Sequence, residues 1–368
     1  MTLEVPKNAG RQLAKLMPAA LNQLLAGKVR AAVVIVVDGL GWVNLKANQQ
    51  IAQTLLGMRA KRLVTVAPST TAAALTTLTT GTLPGQHGLI GYKILNPRTD
   101  NLTVTLSDWD EISDVRGWQT QATVFERATL QGIPARVFAR PAHAESGLTR
   151  AILTGAEYVA GQTMGQRFAA LNDLLRRSES GIFYLYIDEL DRAGHHSGCG
   201  SLKWRNLLGG LDTHISDLLR GLPADVGVFL TADHGIIDFN RQQQVILEER
   251  FSLPAGTRFG GEPRFRSLYL PDPEQAESLL AEMRRVAGGS VQVGTRAAWI
   301  ESGLFGPVSP QIAARLGDII AVPRKRLTLY SETDPAASFQ MVGQHGGLDE
   351  DEMGIPLLTA GAFTPELL

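Results

Sequence analysis

Apolar runs recur along the chain at 31–37, 62–66, 134–139, 182–187 and 226–231, and the hydrophobic period changes between them. The runs are short, continuous and rich in Val, Ile and Leu, as expected of strands buried on both faces. The stretches at about 43–57, 122–131, 165–178 and 203–220 instead carry the spacing of helices with one apolar face. Strands alternating with helices predict an α/β core, a mostly parallel sheet with helices on both faces. Past residue 240 the pattern changes. "RFRSLYL" (264–270), a helix at about 273–287, "SVQVG" (290–294) and "GDIIAVP" (317–323) predict a smaller α+β unit. The chain then returns to the core with "GQHGGLDEDEMGIPLL". The expected organisation is therefore a core built from 1–238 and 345–368, with 239–344 inserted as a cap-like subdomain.

Composition narrows the function. The chain has 35 Lys+Arg against 36 Asp+Glu, so no basic field favours a nucleic-acid polymer. The single cysteine, Cys199, rules out a disulfide framework and a Cys-rich zinc site. Any metal must be held by His and carboxylates. The stretch "AGRQLAKLMPAALNQLLAGKVR" is polar throughout and interrupted by Pro18, so it reads as an amphipathic helix and not as a signal peptide. The run "AAVVIVV" is too short to span a bilayer. The expectation is a cytoplasmic protein with no membrane partner.

The candidate chemistry lies at strand ends. Asp38 follows "VVIVV", Thr71 follows "RLVTV" by a short turn, Asp191 follows "IFYLYI" within a few residues, and Asp233 follows "VGVFLTA". Open α/β sheets bind ligands in the crevice outside the carboxyl ends of their strands. One such Asp reads as a helix cap; four such positions, three with a His nearby or a Gly next door, point to a site. Asp191 and His195 are four residues apart, a spacing that puts both on one face of a helical turn. His234 follows Asp233 directly, and His345 lies in "GQHGGL". Two sets of three result: Asp191, His195 and His345, and Asp38, Asp233 and His234 with Thr71 as a fourth donor. Mixed Asp/His ligation suits Zn2+ best, and Mn2+ is also compatible. Two ions roughly 4 Å apart would clamp the attacking and leaving oxygens of a phosphoryl group. His87, His143, His196 and His214 are read as hydrogen-bonded or solvated imidazoles.

The run "TAAALTTLTTG" reads as a helix closed by Gly81, with a threonine at its start. Such a threonine is ordinarily a cap, but a helix N-terminus also favours anions. Ser69, Thr70 and Thr71 all remain open as nucleophiles on spacing alone.

These segments resemble the alkaline phosphatase superfamily, and within it the type I phosphodiesterase/nucleotide pyrophosphatase family. Pro68, Thr71, Gly81, Pro84, His87 and Gly88 fit the register of that family's nucleophile segment. "VVDGLG", "LDRAGHHSG", "TADHGI" and "GQHGG" resemble its remaining motifs in order, from 33 to 358. The resemblance places the nucleophile on Thr71. It implies an alkaline-phosphatase-like core, two zinc ions, a phosphothreonine intermediate and hydrolysis of phosphodiesters or pyrophosphates. It also implies a small phosphorylated substrate, a nucleotide, with Tyr186 in a substrate-contacting position. Ala72 stands where the family commonly carries an aromatic side chain. The rival readings are a phosphomonoesterase or phosphonate hydrolase of the same superfamily, and a binding or regulatory protein on a retired phosphohydrolase fold.

Overall fold

The computed structural model describes residues 3–109, 112, 114–324 and 326–368. Seven strands form the central sheet: β1 (Ala31–Val37), β2 (Arg59–Val64), β3 (Ala135–Ala139), β4 (Glu157–Ala160), β5 (Gly181–Ile187), β6 (Val226–Thr231) and β7 (Gly354–Gly361). Their order is β2-β7-β6-β1-β5-β3-β4. β1 pairs in parallel with β5 and β6, whereas β7 runs antiparallel between β2 and β6. All residues of β1 and β6 are buried. This double-sided burial is why their sequences are continuously apolar.

Register decides which side chains meet. Val37 lies opposite Ile187, and Val36 lies opposite Thr231. The chain therefore leaves β1, β5 and β6 at nearly one level, placing Asp38, Asp188 and Asp233 along one sheet edge. The short strand Ile237–Asp238 pairs with Gly343–Gln344, so the segment between them starts and ends at the same place on that edge.

That segment contains a four-stranded antiparallel sheet ordered Arg258–Glu262, Phe265–Tyr269, Ile319–Pro323, Val291–Thr295. Period-two alternation gives the sheet two apolar faces. Ile319 and Ala321 pack with Leu279, Leu280 and Met283 of the helix Ala276–Ala287 in a core of their own. Ile320 and Val322 point the other way and join the main core through Phe265, Trp299 and Phe305. β4 and β7 lie outside the strands anticipated from the apolar runs. No helix among the described residues is long and apolar enough to cross a membrane.

Candidate active site

Asp38 and Asp233 leave their strands into the crevice, and each has one oxygen committed. Asp233 Oδ1 accepts backbone N–H bonds from Gly39 at 3.1 Å and His234 at 2.9 Å. Asp38 Oδ2 accepts from the Tyr186 hydroxyl. Asp191 sits in the first turn of the helix Glu189–Ser197, with His195 one turn later. The outward oxygens, Asp38 Oδ1, Asp233 Oδ2 and Asp191 Oδ1, are buried without a hydrogen-bond partner.

Two glycines make room for this. Gly39 has φ +72°, and a Cβ there would come within 3.1 Å of the Asp191 backbone. A Cβ at Gly235 would lie 2.0 Å from the Asp351 carbonyl. The Gly of "TADHGI" is therefore required by backbone crowding immediately behind His234.

The three histidines share one arrangement. Nδ1 of His195 donates to the Gly343 carbonyl (2.7 Å), Nδ1 of His234 to Gly235 (3.2 Å), and Nδ1 of His345 to Ser69 (2.9 Å). A carbonyl can only accept, so each Nδ1 carries a proton and Nε2 is the ring atom each histidine would offer to a metal. His234 Nε2 lies 3.4 Å from Asp38 Oδ1, 3.3 Å from Asp233 Oδ2 and 3.1 Å from Thr71 Oγ1. His195 Nε2 lies 3.4 Å, and His345 Nε2 4.0 Å, from Asp191 Oδ1. The rings of His234 and His345 stack at 3.6 Å, so the two triads are neighbours. Both sets, Asp191/His195/His345 and Asp38/Asp233/His234, have donor atoms mutually within 4.8 Å.

The electrostatics match an arrangement shaped around cations. Burial, then Asp233 and Asp191, holds the Asp38 carboxyl well above the usual range. Burial pushes Asp233 up to about 6. His234 is lowered to about 3 by burial and by His195, and His345 is held well below its ordinary value by burial and the other two histidines. Unpartnered carboxylate oxygens facing neutral imidazole lone pairs are costly alone and complementary to a divalent ion. The residues present therefore fit such a group.

Thr71 is the first residue of the helix Thr71–Thr80, and Thr70 occupies the cap position without a side-chain capping bond. Thr71 is thus free of the capping duty its sequence position suggested, and its hydroxyl faces His234. The first N–H groups of the helix lack intrahelical partners. Thr70 Oγ1 is buried and unpaired, and Ser69 Oγ donates to the Gly347 carbonyl.

Two cavities meet at Thr71, Leu106 and Asp191. One, of about 270 Å³, is walled by Tyr158, Tyr186, His143 and Leu148. The other, of about 280 Å³, lies toward the inserted segment and the hairpin 93–104. The Tyr186 ring lines the first cavity while its hydroxyl is occupied by Asp38, a hydrogen bond that the sequence does not show. His143 is hydrogen-bonded, as expected of it: its Nε2 lies 3.1 Å from Asp188 Oδ2, beside Arg140. Burial alone would raise Asp188, but His143 and Arg140 outweigh it and bring the carboxyl to about 2. The strand-end rule applied to β3 would have pointed to both Arg140 and His143. His87 is structural: Leu89 N–H donates to its Nδ1, so its Nε2–H faces Thr77 Oγ1. His214 stacks on Phe168, and His196 is exposed.

The model of the type I phosphodiesterase/nucleotide pyrophosphatase family matches residues 32–348. The chain belongs to that family. It is a phosphohydrolase of the phosphodiesterase/pyrophosphatase type with an alkaline-phosphatase-like fold. Murine ectonucleotide pyrophosphatase/phosphodiesterase 5, solved as an inactive variant with AMP, is similar over 90% of this chain and 88% of its own, with TM-score 0.70 and 16% identity. The human counterpart gives TM-score 0.71 at 16% identity over 90% of each chain. Phosphonoacetate hydrolase from Sinorhizobium meliloti, solved with phosphonoformate, gives TM-score 0.71 at 19% identity, again over 90% of each chain. No curated protein matches the chain by sequence.

Proposed function

We propose that this family member is a two-metal hydrolase of nucleotide phosphodiester or pyrophosphate bonds, with Thr71 as covalent nucleophile. The observation that carries the reading is the convergence of three unpartnered carboxylate oxygens and three Nε2 atoms beside the Thr71 hydroxyl. Asp38, Asp233, His234 and the Thr71 oxygen would hold one divalent ion, and Asp191, His195 and His345 the other; Zn2+ suits this set, and Mn2+ is compatible. When bound, the ions lower the pKa of the hydroxyl and stabilise charge on the attacking and leaving oxygens.

Thr71 Oγ loses its proton to solvent and attacks phosphorus in line. The Oγ–P bond forms as the bond from phosphorus to the leaving oxygen breaks, and that oxygen takes a proton from water. Water then attacks the phosphothreonine, releasing the phosphate monoester and restoring the hydroxyl. The N–H groups at the helix start face the non-bridging oxygens. The nucleoside stays on phosphorus and lies in the cavity of Tyr158 and Tyr186. Tyr158 donates to the Arg140 carbonyl and Tyr186 to Asp38, so both offer ring surface and not hydroxyls. The segment 239–344 acts as a cap on the opposite side.

Bis(p-nitrophenyl) phosphate should be cleaved faster than p-nitrophenyl phosphate, and chelation should abolish both activities. A preference for the monoester, or turnover of phosphonoacetate exceeding that of the diester, would overturn the reading.

A further inference from the structure

The second cavity carries information on what leaves. Asp191, His195 and His345 line it, whereas Asp38 lines only the first cavity. With the attacking Thr71 oxygen among the donors of the Asp38/Asp233/His234 set, the Asp191/His195/His345 set is left for the departing oxygen, so the second cavity is the leaving-group side. Its rim is apolar. Tyr92, Leu106 and Met341 are three of the seven large hydrophobic residues with substantial exposure among the described residues, at 38%, 39% and 39%. All three surround this one opening. Tyr92 and Leu106 flank the hairpin 93–104, where the Thr105 N–H donates to the Tyr92 carbonyl at 2.7 Å. Met341 comes from the end of the inserted segment. Singly exposed apolar residues mean little, but several rimming one concavity mark a binding surface.

Among the described residues the interior supplies no cation, and burial holds its one carboxyl outside the metal triads, Glu262, well above the usual range. Glu262, only 7% exposed, reaches the cavity wall from the strand Arg258–Glu262. Its Oε2 accepts from the Tyr92 N–H at 3.3 Å, and its Oε1 has no partner. No lysine or arginine is among the described residues that line this cavity. The first cavity, by contrast, includes Arg192. Thr70, Ser338 and Gln344 add polar atoms to the wall, but beyond its reacting oxygen a phosphate or pyrophosphate leaving group would meet no lysine or arginine to pair with. An aryl or alkyl group meets complementary surface. The cavity also has room, since a dry cavity of roughly 150 Å³ already holds benzene.

We propose that this cavity receives an uncharged, apolar alcohol, making the protein a phosphodiesterase with an apolar leaving group and not a pyrophosphatase. The proposal rests on the phosphodiesterase reading, and its test separates the two. Two AMP esters share the nucleoside: the 4-ethylphenyl ester and the 4-(carboxymethyl)phenyl ester, whose phenols have similar acidity. With the metal-loaded protein, kcat/KM should favour the neutral ester by at least about tenfold, the scale of discrimination by a pocket that leaves a charge unpaired. ATP cleavage to AMP should be slower still. Calorimetry with the Thr71→Ala protein, which keeps both esters intact, should show tighter binding of the neutral one. Met341→Lys should shrink the ratio between the esters and raise relative ATP cleavage. Equal handling of both esters, or ATP as the better substrate, would overturn the leaving-group assignment and leave the hydrolase standing. Failure to cleave any of the three would overturn both.

Discussion

Replacing Tyr186 by Phe removes one oxygen and leaves the aromatic wall of the first cavity in place. In the structure that oxygen donates to Asp38 Oδ2, which leaves Oδ1 free to face His234 Nε2 at 3.4 Å. The hydroxyl thus fixes which carboxylate oxygen is offered to a cation. A hydrogen bond to a charged acceptor contributes about 1.5–3 kcal/mol, and loss of a partner that orients a metal ligand typically weakens the metal about 10–100-fold. The two scales agree, since about 1.4 kcal/mol is tenfold. Packing should survive, because the Tyr186 ring meets His143 edge-on at 6.2 Å without using its oxygen. The assay is competition with a chromophoric chelator, titrating both equivalents of metal. Tyr186→Phe should weaken one equivalent by about 10–100-fold and leave the other within a few-fold. At saturating metal, KM should change less than kcat. Unchanged affinity for both equivalents together with a raised KM would refute the reasoning and make the hydroxyl a substrate contact.

Metal affinity should depend on pH in a definite direction. Asp38 and Asp233 have raised carboxyl pKa values, Asp233 to about 6, so below that pH the metal-free site holds protons that a cation must displace. His234, at about 3, and His345, held well below its ordinary value, are already neutral there and add no further competition. Affinity of the Asp38/Asp233/His234 set should therefore rise with pH through about pH 6, by about tenfold per pH unit for each proton displaced; a flat titration between about pH 5 and 6 contradicts this. Arg264, buried at the base of the inserted segment, donates to Glu352 Oε1 at 2.9 Å and Oε2 at 2.6 Å, and to Asp349 at 2.8 Å. Arg264→Ala should destabilise the protein by about 3–5 kcal/mol in urea unfolding, because Glu352 is left charged and buried; Arg264→Ala with Glu352→Ala should recover part of that loss. Thr70→Ala should cost little stability or activity, since its hydroxyl is buried without a partner.

The parts of the fold that were legible in the sequence are those whose environment is uniform. β1 and β6 are buried on every residue, so their runs of Val, Ile, Leu and Phe mark them within a residue. β4 has intermediate and exposed positions at the sheet edge, and β7 begins Gly-Ile-Pro; neither carries that signature. The two triads were legible because a strand end, a helical turn and a His neighbour are local patterns. The Arg140–His143–Asp188 cluster was not picked out, because the turn after β3 carries no Asp-Gly or Asp-His pair to mark it, and it meets Asp188 only through the β3–β5 pairing. Tyr186 was visible as an aromatic ring, but its bond to Asp38 depends on the β1–β5 register, which spacing along the chain does not encode. Glu262 reads as an ordinary surface carboxylate in "FGGEPRF" until the inserted sheet docks it beside Tyr92.

The central claim is that Thr71 forms the covalent intermediate, and acid-quenched mass spectrometry of the metal-loaded protein during turnover tests it most directly. Phosphodiester cleavage should place the retained nucleoside phosphate on the peptide containing Thr71, and fragmentation should locate it on that residue. The adduct should be absent from Thr71→Ala, whose turnover should fall by several orders of magnitude, and present in Thr70→Ala. An adduct on Thr70 or Ser69, or full activity without an adduct in Thr71→Ala, would contradict the account and assign the attack to another group or to water.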